Sequence, residues 1–313
     1  MGEPETVLIT GIAGFIGSHV ADALIKEGYR VFGVDDLSSG RLENVPKNAY
    51  FFKADICDFE RMDTLFKETR PRFVVHHAAQ VSVARSVKDP VFDAHVNILG
   101  TVGLLDLCRK YVVEKMVFAS SGGALYGDVD APAREDKKPD PKSPYGFSKW
   151  AGEQYVRYYG QEFGIGYTIL RYGNVYGPRQ DPYGEAGVVA VFTGRLLCGE
   201  RPVINGDGEY VRDYVYVEDV AQANVAVLKK AAADAAVNVG TGIGTTVNQL
   251  FAMLVEISGI QAVPQYGPPR PGDLKTSVLD PSLAKEIFGW EPKTPLREGL
   301  KKTVEWFKGR ICH

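Results

Sequence analysis

The sequence is short of several things, and each shortage excludes something. Of its 313 residues only four are cysteines, Cys57, Cys108, Cys198 and Cys312. None forms a CxxC pair, so neither a zinc ribbon nor a disulfide scaffold is indicated, and a reducing, cytoplasmic setting fits. Lysines and arginines do not cluster and the formal net charge is −3, so a nucleic-acid backbone is not an expected partner. No apolar run approaches the ~20 residues that span a bilayer, so no membrane partner is expected. The N-terminus has neither the basic stretch nor the apolar block of a cleavable leader. Met1 to Thr6 match a bare myristoylation pattern. Thr6 leads straight into a strand-like run, and the match is discounted. Repeats, low-complexity tracts and Ser/Gly linkers are also missing. What is present is 45% hydrophobic and 24% charged residues, enough apolar surface to offset the ordering entropy of one large domain, or of a large and a small one.

Strand-like and helix-like patterns alternate through the first half. Val7–Thr10, Arg30–Val34, Tyr50–Lys53, Phe73–His76, Met116–Ser120 and Tyr167–Arg171 read as strands. Ser18–Glu27, Phe59–Lys67, Pro90–Lys110 and Tyr145–Phe163 read as helices between them. This alternation predicts an α/β fold, a Rossmann-type doubly wound parallel sheet with helices on both faces. After Asn174 the loops lengthen and become rich in Pro and Gly. A second, smaller α/β lobe is expected from residues 174–213 and 241–313. The larger domain would then comprise residues 1–173, with about 214–240 returning to it.

Gly11, Gly14 and Gly17 follow the first strand and open the first helix. A glycine at such a turn takes an unusual backbone angle. A glycine at the helix start lets a pyrophosphate reach the N–H groups and the positive end of the helix dipole. Taken alone, the pattern is equally compatible with a ligand-free turn; the strand, the helix and a downstream acid support the nucleotide reading. Asp35 ends the second strand, 24 positions after Gly11. An acid there bonds the adenosine ribose hydroxyls and repels a 2′-phosphate, which favours NAD over NADP. Asp36 follows it, and the pair also suits a plain turn. Asp55-Ile56 ends the third strand within reach of an adenine, and Asp58 reads as a helix cap.

Tyr145 and Lys149 are spaced to share one face of a helix. An ammonium beside a phenol favours the phenolate, lowering a pKa that starts near 10, which makes a usable general base. With 16 tyrosines chance matches occur, and Tyr111–Lys115 is one. It straddles a helix end and a strand start, so it reads as structural. Ser120-Ser121 end the strand before the Tyr–Lys helix, at the sheet edge where ligands bind. Either can cap the strand, and Ser121 can donate to an oxygen that Tyr145 deprotonates. His76 and His77 should face opposite sides of their strand, and ligand-spaced histidines are not apparent.

In this order, TGxxGxxG, a strand-end Asp, a strand-end Ser and YxxxK resemble the extended short-chain dehydrogenase/reductase family. The resemblance covers essentially the whole chain. It narrows to the UDP-glucose 4-epimerase group through TGIAGFIGSHV (10–20), VDDLSSGR (34–41), HHAAQVSV (76–83), VNILGT (96–101), FASSGGALYG (118–127), SPYGFSK (143–149), LRYGNVYGPRQ (170–180), YVRDYVYVEDV (210–220), NVGTG (238–242) and PPRPGDL (268–274). It implies NAD as cofactor, held by Gly11, Gly14, Phe15, Ile16, Gly17, Asp35, Asp36, Leu37, Ser38, Ser39, Gly40, Asp55, Ile56, His77, Ala78, Ala79, Gln80, Asn97, Tyr145, Lys149 and Tyr172. It implies Ser121, Tyr145 and Lys149 as the catalytic trio. It implies UDP-sugar contacts at Ser121, Tyr145, Asn174, Val188, Arg212, Arg270 and Asp273, the two arginines suiting a pyrophosphate by their forked donors.

The same resemblance places a residue that gates the sugar's C2 substituent four positions after Asp273, at Ser277. Tyr there closes the pocket to N-acetylhexosamines, whereas a small residue leaves it open. It also implies a homodimer built from Pro90–Lys110 and Tyr145–Phe163, with Leu104 and Trp150 as exposed apolar candidates. Two positions depart from the group's pattern. FASSGGALYG carries one residue more than FSSSATVYG, which leaves Ser120 and Ser121 as alternatives for the catalytic hydroxyl. Gln80-Val81-Ser82 stand where many epimerases have a Lys. The expected activity is NAD-dependent 4-epimerisation of UDP-hexoses. Its alternatives are a related nucleotide-sugar activity (uronic-acid epimerase, dehydratase or decarboxylase) and a non-catalytic NAD-binding sensor. Gly122-Gly123 stand where dehydratases carry an Asp-Glu pair, which argues against that chemistry.

Overall fold

A computed structural model describes residues 4–130, 132–183, 187–230, 234–269 and 273–311. The elements run β1 (Thr6–Thr10), α1 (Phe15–Lys26), β2 (Arg30–Asp35), β3 (Tyr50–Lys53), α2 (Phe59–Thr69), β4 (Phe73–His76), α3 (Val83–Lys88), α4 (Pro90–Ala94), α5 (Gly100–Lys110), β5 (Lys115–Ser121), α6 (Gly122–Leu125), α7 (Pro144–Phe163) and β6 (Gly166–Tyr172). They continue β7 (Asn174–Tyr176), α8 (Val188–Leu197), β8 (Val203–Asn205), β9 (Val211–Tyr216), α9 (Val217–Lys229), β10 (Ala235–Val239), β11 (Gly244–Thr246), α10 (Val247–Ser258), β12 (Gln265–Gly267), β13 (Thr276–Ser277), α11 (Ser282–Phe288) and α12 (Leu296–Phe307).

The main sheet has the order β10-β6-β5-β4-β1-β2-β3 and its pairings are parallel. Val7, Leu8, Ile9, Val74, Val75, Met116, Val117 and Phe118 are almost wholly buried. Near-continuous apolar strands are what a sheet covered on both faces requires. The chain reverses direction across the sheet between β1 and β4, so their following loops diverge and leave a crevice at the carboxyl edge. Within the segment 214–240, α9 packs against α1 and β10 pairs with β6 in the main sheet. Its first residues instead finish β9, which belongs to a separate sheet with β7, β11 and β13.

Pro90–Lys110 is one continuous 21-residue helix, with a π turn at His95–Leu99 between α4 and α5. It is long and apolar enough to cross a membrane, unlike the runs seen in the sequence. Its inner face, however, is part of the sheet's core. Leu104, expected to be exposed, is 0% exposed and packs with Leu8, Val74 and Met116. The helix register turns it inward and leaves Val91 and Leu99 outward instead. Helix α7 begins one residue earlier than the periodicity suggested. Ser143 caps it, its Oγ accepting from Gly146 N at 3.2 Å, and Pro144 occupies the first turn.

Candidate active site

The glycine-rich turn lies at the crevice. Gly11 has φ 73° and donates its N–H to Val34 O at 2.8 Å. A Cβ on it would stand 2.7 Å from Ala78 N, and one on Gly17 2.1 Å from Gly11 O, so side chains are excluded where β1, β4 and α1 converge. Gly14 caps α1 and no side chain among the described residues caps its first-turn amides, which leaves that helix end to an anion. Asp35 is 8% exposed, and its carboxylate accepts from Ala13 N at 3.0 Å and Leu37 N at 2.9 Å. It thus ties the 11–14 turn to the 36–40 loop. Burial raises its pKa, opposed by those amides. Asp36 accepts from Ser38 N and Oγ. Asp55 accepts from Cys57 N at 2.8 Å, closing a local turn, and Asp58 caps α2. Phe15 and Ile16 turn into the core of the smaller lobe. The residues present therefore fit a dinucleotide: a side-chain-free cradle, an uncapped helix end and a strand-end acid.

On the other wall, His77 stacks on Tyr172 at 6.0 Å between ring centroids and contacts its hydroxyl at 3.1 Å. His76 points the opposite way, between Thr10 Oγ1 and Thr101 Oγ1. Burial holds both imidazoles neutral, His77 down to about 3. The Asn97 side chain bonds the Gln80 backbone N–H and C=O, the Gln80 side chain bonds the Ser82 backbone, and both amide groups donate to Asp93.

The two serines face opposite ways. Ser120 Oγ donates to Glu153 Oε1 at 2.6 Å inside the core. Ser121 hydrogen-bonds the Tyr145 phenol. Lys149 Nζ donates to Ala119 O at 3.0 Å and lies 5.2 Å over the Phe118 ring. Burial pulls the Lys149 pKa down to about 8, opposed by Asp93 and Glu153. The phenol does not sit below its ordinary value as the Tyr–Lys spacing suggested. Burial pushes it up to about 12, with Ser121 acting to lower it and Asp93 to raise it. The ammonium is spent on a carbonyl rather than on the phenol, so desolvation wins.

The smaller lobe closes over this edge. A Cβ built on Gly123 would lie 3.7 Å from Ser277 Oγ, 3.8 Å from Asn174 Oδ1 and 4.0 Å from Ser121 Oγ. Three residues remote in sequence thus surround one side-chain-free point. Ser277 pairs in register with Arg212. Arg212 Nη2 bonds Asp273 Oδ1 at 2.5 Å. Val188 opens α8. Arg270 lies outside the described residues. Tyr111, the other Tyr–Lys match, caps α5 and bonds Asp63 at 3.0 Å, away from this edge.

Sequence reasoning missed a buried network behind the site. Arg171 makes a two-pronged pair with Glu153 and donates to Tyr126 Oη, which bonds Asn238. Glu153 falls four residues after Lys149, the same helical spacing that singled out Tyr145, and that signal was available. Asp93, equally buried, carried none.

A parallel sheet with this turn and a helix-borne Tyr–Lys pair at its carboxyl edge defines a dinucleotide-dependent α/β enzyme. Residues 7–240 match the profile of the NAD dependent epimerase/dehydratase family, and the chain belongs to that family. It is similar to the UDP-glucose 4-epimerase of Thermotoga maritima solved with UDP-glucose, at 54% identity and TM-score 0.95, covering 97% of this chain and 99% of that one. It is also similar to the UDP-glucose 4-epimerase of Thermus thermophilus in complex with NAD, at 48% identity and TM-score 0.92, covering 98% and 100%. A curated UDP-glucose 4-epimerase of Mycolicibacterium smegmatis is 46% identical over 309 residues, 97% of this chain and 98% of that protein.

Proposed function

We propose that this chain is an NAD-dependent UDP-hexose 4-epimerase. The observation that carries the reading is the meeting of Ser121, Asn174 and Ser277 around Gly123, beside Tyr145 and next to the dinucleotide cradle. Similarity to UDP-glucose 4-epimerases over nearly the full chain supports it. NAD, when bound, supplies a reversible hydride acceptor for C4 of the sugar. Tyr145 removes the proton of the 4′-hydroxyl and later returns it to the oxygen on the opposite face. Ser121 donates to the same oxygen and steadies the charge that develops there. Lys149 holds positive charge behind the phenol. Gly123 leaves room for the 4-keto sugar to turn over between the two transfers, and Gly122 packs against Leu279. They also deny the site the acid–base pair that elimination of water needs, which sets it apart from the 4,6-dehydratases that share about a third of its sequence.

In this reading residues 174–213 and 241–313 form the UDP-sugar lobe, with Arg212 and Arg270 on the pyrophosphate. Ser277 leaves the C2 pocket open, so UDP-N-acetylhexosamines join UDP-glucose and UDP-galactose as substrates. A UDP-N-acetylglucosamine 4-epimerase of Methanobrevibacter ruminantium is 35% identical to this chain. The enzyme works as a homodimer across the outward faces of Pro90–Lys110 and α7, where Val91, Leu99, Phe147, Tyr155 and Tyr158 are exposed. Incubation with UDP-galactose, followed by analysis of the released sugar, tests the assignment, and appearance of glucose is the expected result. A parallel incubation with UDP-glucuronate would reveal a uronic-acid epimerase instead. Denatured protein should release NAD; recovery of NADP would overturn the role given to Asp35.

A further inference from the structure

Asp93 is a buried carboxylate that the mechanism above does not use. It lies on α4 against α7 and is 1% exposed. Its Oδ1 accepts from Gln80 Nε2 at 2.7 Å and Asn97 Nδ2 at 3.1 Å. Its Oδ2 is buried and has no hydrogen-bond partner among the described residues. A carboxylate in that state is costly unless an opposite charge is near. The near opposite charge is Lys149, itself 5% exposed. Burial works against the Lys149 ammonium, and Asp93 exerts the larger of the two fields that favour it. Glu153 exerts the other, but its carboxylate is already committed to Arg171 and Ser120.

The same cluster reaches the first turn of α7. Asn97 Nδ2 also lies 3.1 Å from Ser148 Oγ, and Ser148 Oγ donates to Tyr145 O at 3.0 Å. Asn97 sits within the π turn at His95–Leu99, a feature that often re-aims side chains at functional sites.

We propose that Asp93 is a positioning residue for the proton-transfer pair: the counter-charge that keeps Lys149 an ammonium, anchored through Asn97 and Ser148 to the turn that carries Tyr145. This rests on the epimerase reading. The surrounding groups leave the role to Asp93. His76 at the end of β4 and His77 after it are held neutral by burial. β5 offers the Ser121 hydroxyl and the Ala119 carbonyl, and Glu153 of α7 is paired with Arg171 of β6. Arg85 of α3 lies 4.0 Å over the Phe92 ring, and His95 follows on the π turn.

Asp93→Asn keeps an acceptor for Gln80 and Asn97 and removes the charge. The Lys149 ammonium is then lost at lower pH, and the Tyr145 phenol, which Asp93 holds protonated, ionises at lower pH. Both limbs of the kcat profile for UDP-galactose should therefore move to acid by about one pH unit. Asn97→Ala, which loosens the turn without changing charge, should lower kcat and leave the limbs in place. Asp93→Glu should restore the wild-type limbs. Limbs of folded Asp93→Asn that coincide with the wild type overturn the proposal. If Asp93→Asn does not fold, Asp93→Ser is read the same way. If neither folds, displaced limbs in Asp93→Glu overturn it and unmoved limbs support it. Wild-type protein inactive on UDP-hexoses would instead defeat the epimerase reading, a separate result.

Discussion

At the scale of single residues, the site depends on which way neighbouring side chains point. Ser120 and Ser121 are equivalent in a strand-end pattern, but strand alternation sends one hydroxyl to Glu153 and the other to Tyr145. Tyr145→Phe keeps the ring and removes the hydroxyl, so turnover should fall by at least ~10²-fold while bound NAD is retained. Tyr111→Phe loses only a bond to Asp63 and should epimerise at close to the wild-type rate; a collapse of activity there would transfer the base to the wrong helix. Ser277→Tyr should suppress turnover of UDP-N-acetylgalactosamine selectively, because a phenol fills the space an acetamido group needs. Wild-type protein that converts UDP-galactose but leaves UDP-N-acetylgalactosamine untouched would refute the gate. With Lys149 lowered to about 8 by burial, its ammonium is fully present below that value. The Tyr145 phenol is raised to about 12, so the phenolate–ammonium pair should become more abundant as pH rises to about 8 and level off beyond it, and activity should follow.

At the scale of elements, α7 is the member on which the rest depends. It carries Tyr145 and Lys149 on one face and Glu153 one turn further along. Glu153 then fixes the helix to β5 through Ser120 and to β6 through Arg171. Both charges of the Glu153–Arg171 pair are at most 5% exposed. Arg171→Met leaves a carboxylate uncompensated in the core and should cost ~3–5 kcal/mol, read as a lower urea midpoint at unchanged slope. Replacing both members with apolar residues of similar volume should cost much less. A loss for Arg171→Met no larger than that of a surface substitution would show that the pair does not anchor the helix.

At the scale of the whole molecule, the two lobes are joined over the first helix. His19 on α1 contacts Pro178 O at 3.0 Å, Arg179 pairs with Asp22 at 2.7 Å, and Arg41 reaches Asp181 at 3.4 Å. Burial lowers the His19 pKa to about 4 and that of His77 to about 3. The unfolded chain binds these protons first, so stability is intact above pH ~6.5 and is lost as pH falls toward those values. The melting temperature should therefore drop between about pH 6 and 4, and His19→Asn should blunt part of that drop. The assembly has its own test. A stable monomer by light scattering at micromolar concentration would contradict the dimer, as would unchanged mass in Phe147→Glu.

Local order dictated much of this protein. Apolar strand runs, glycines at a strand–helix turn, Asp35 at a strand end and the four-residue step from Tyr145 to Lys149 follow from periodicity and sterics. They made the parallel sheet, the cradle and the choice of α7 legible in the sequence. Other features depend on contacts between distant segments. The meeting at Gly123 brings Ser277 to Asn174 and Ser121, each more than a hundred residues earlier in the chain. The inward turn of Leu104 depends on the register of a helix against the sheet, which amphipathic pattern alone leaves open. The rise of the Tyr145 pKa depends on how much water the closed site excludes. Spacing could place a lysine beside the phenol. Only the packed interior decided that the ammonium would bond Ala119 and that desolvation would outweigh it.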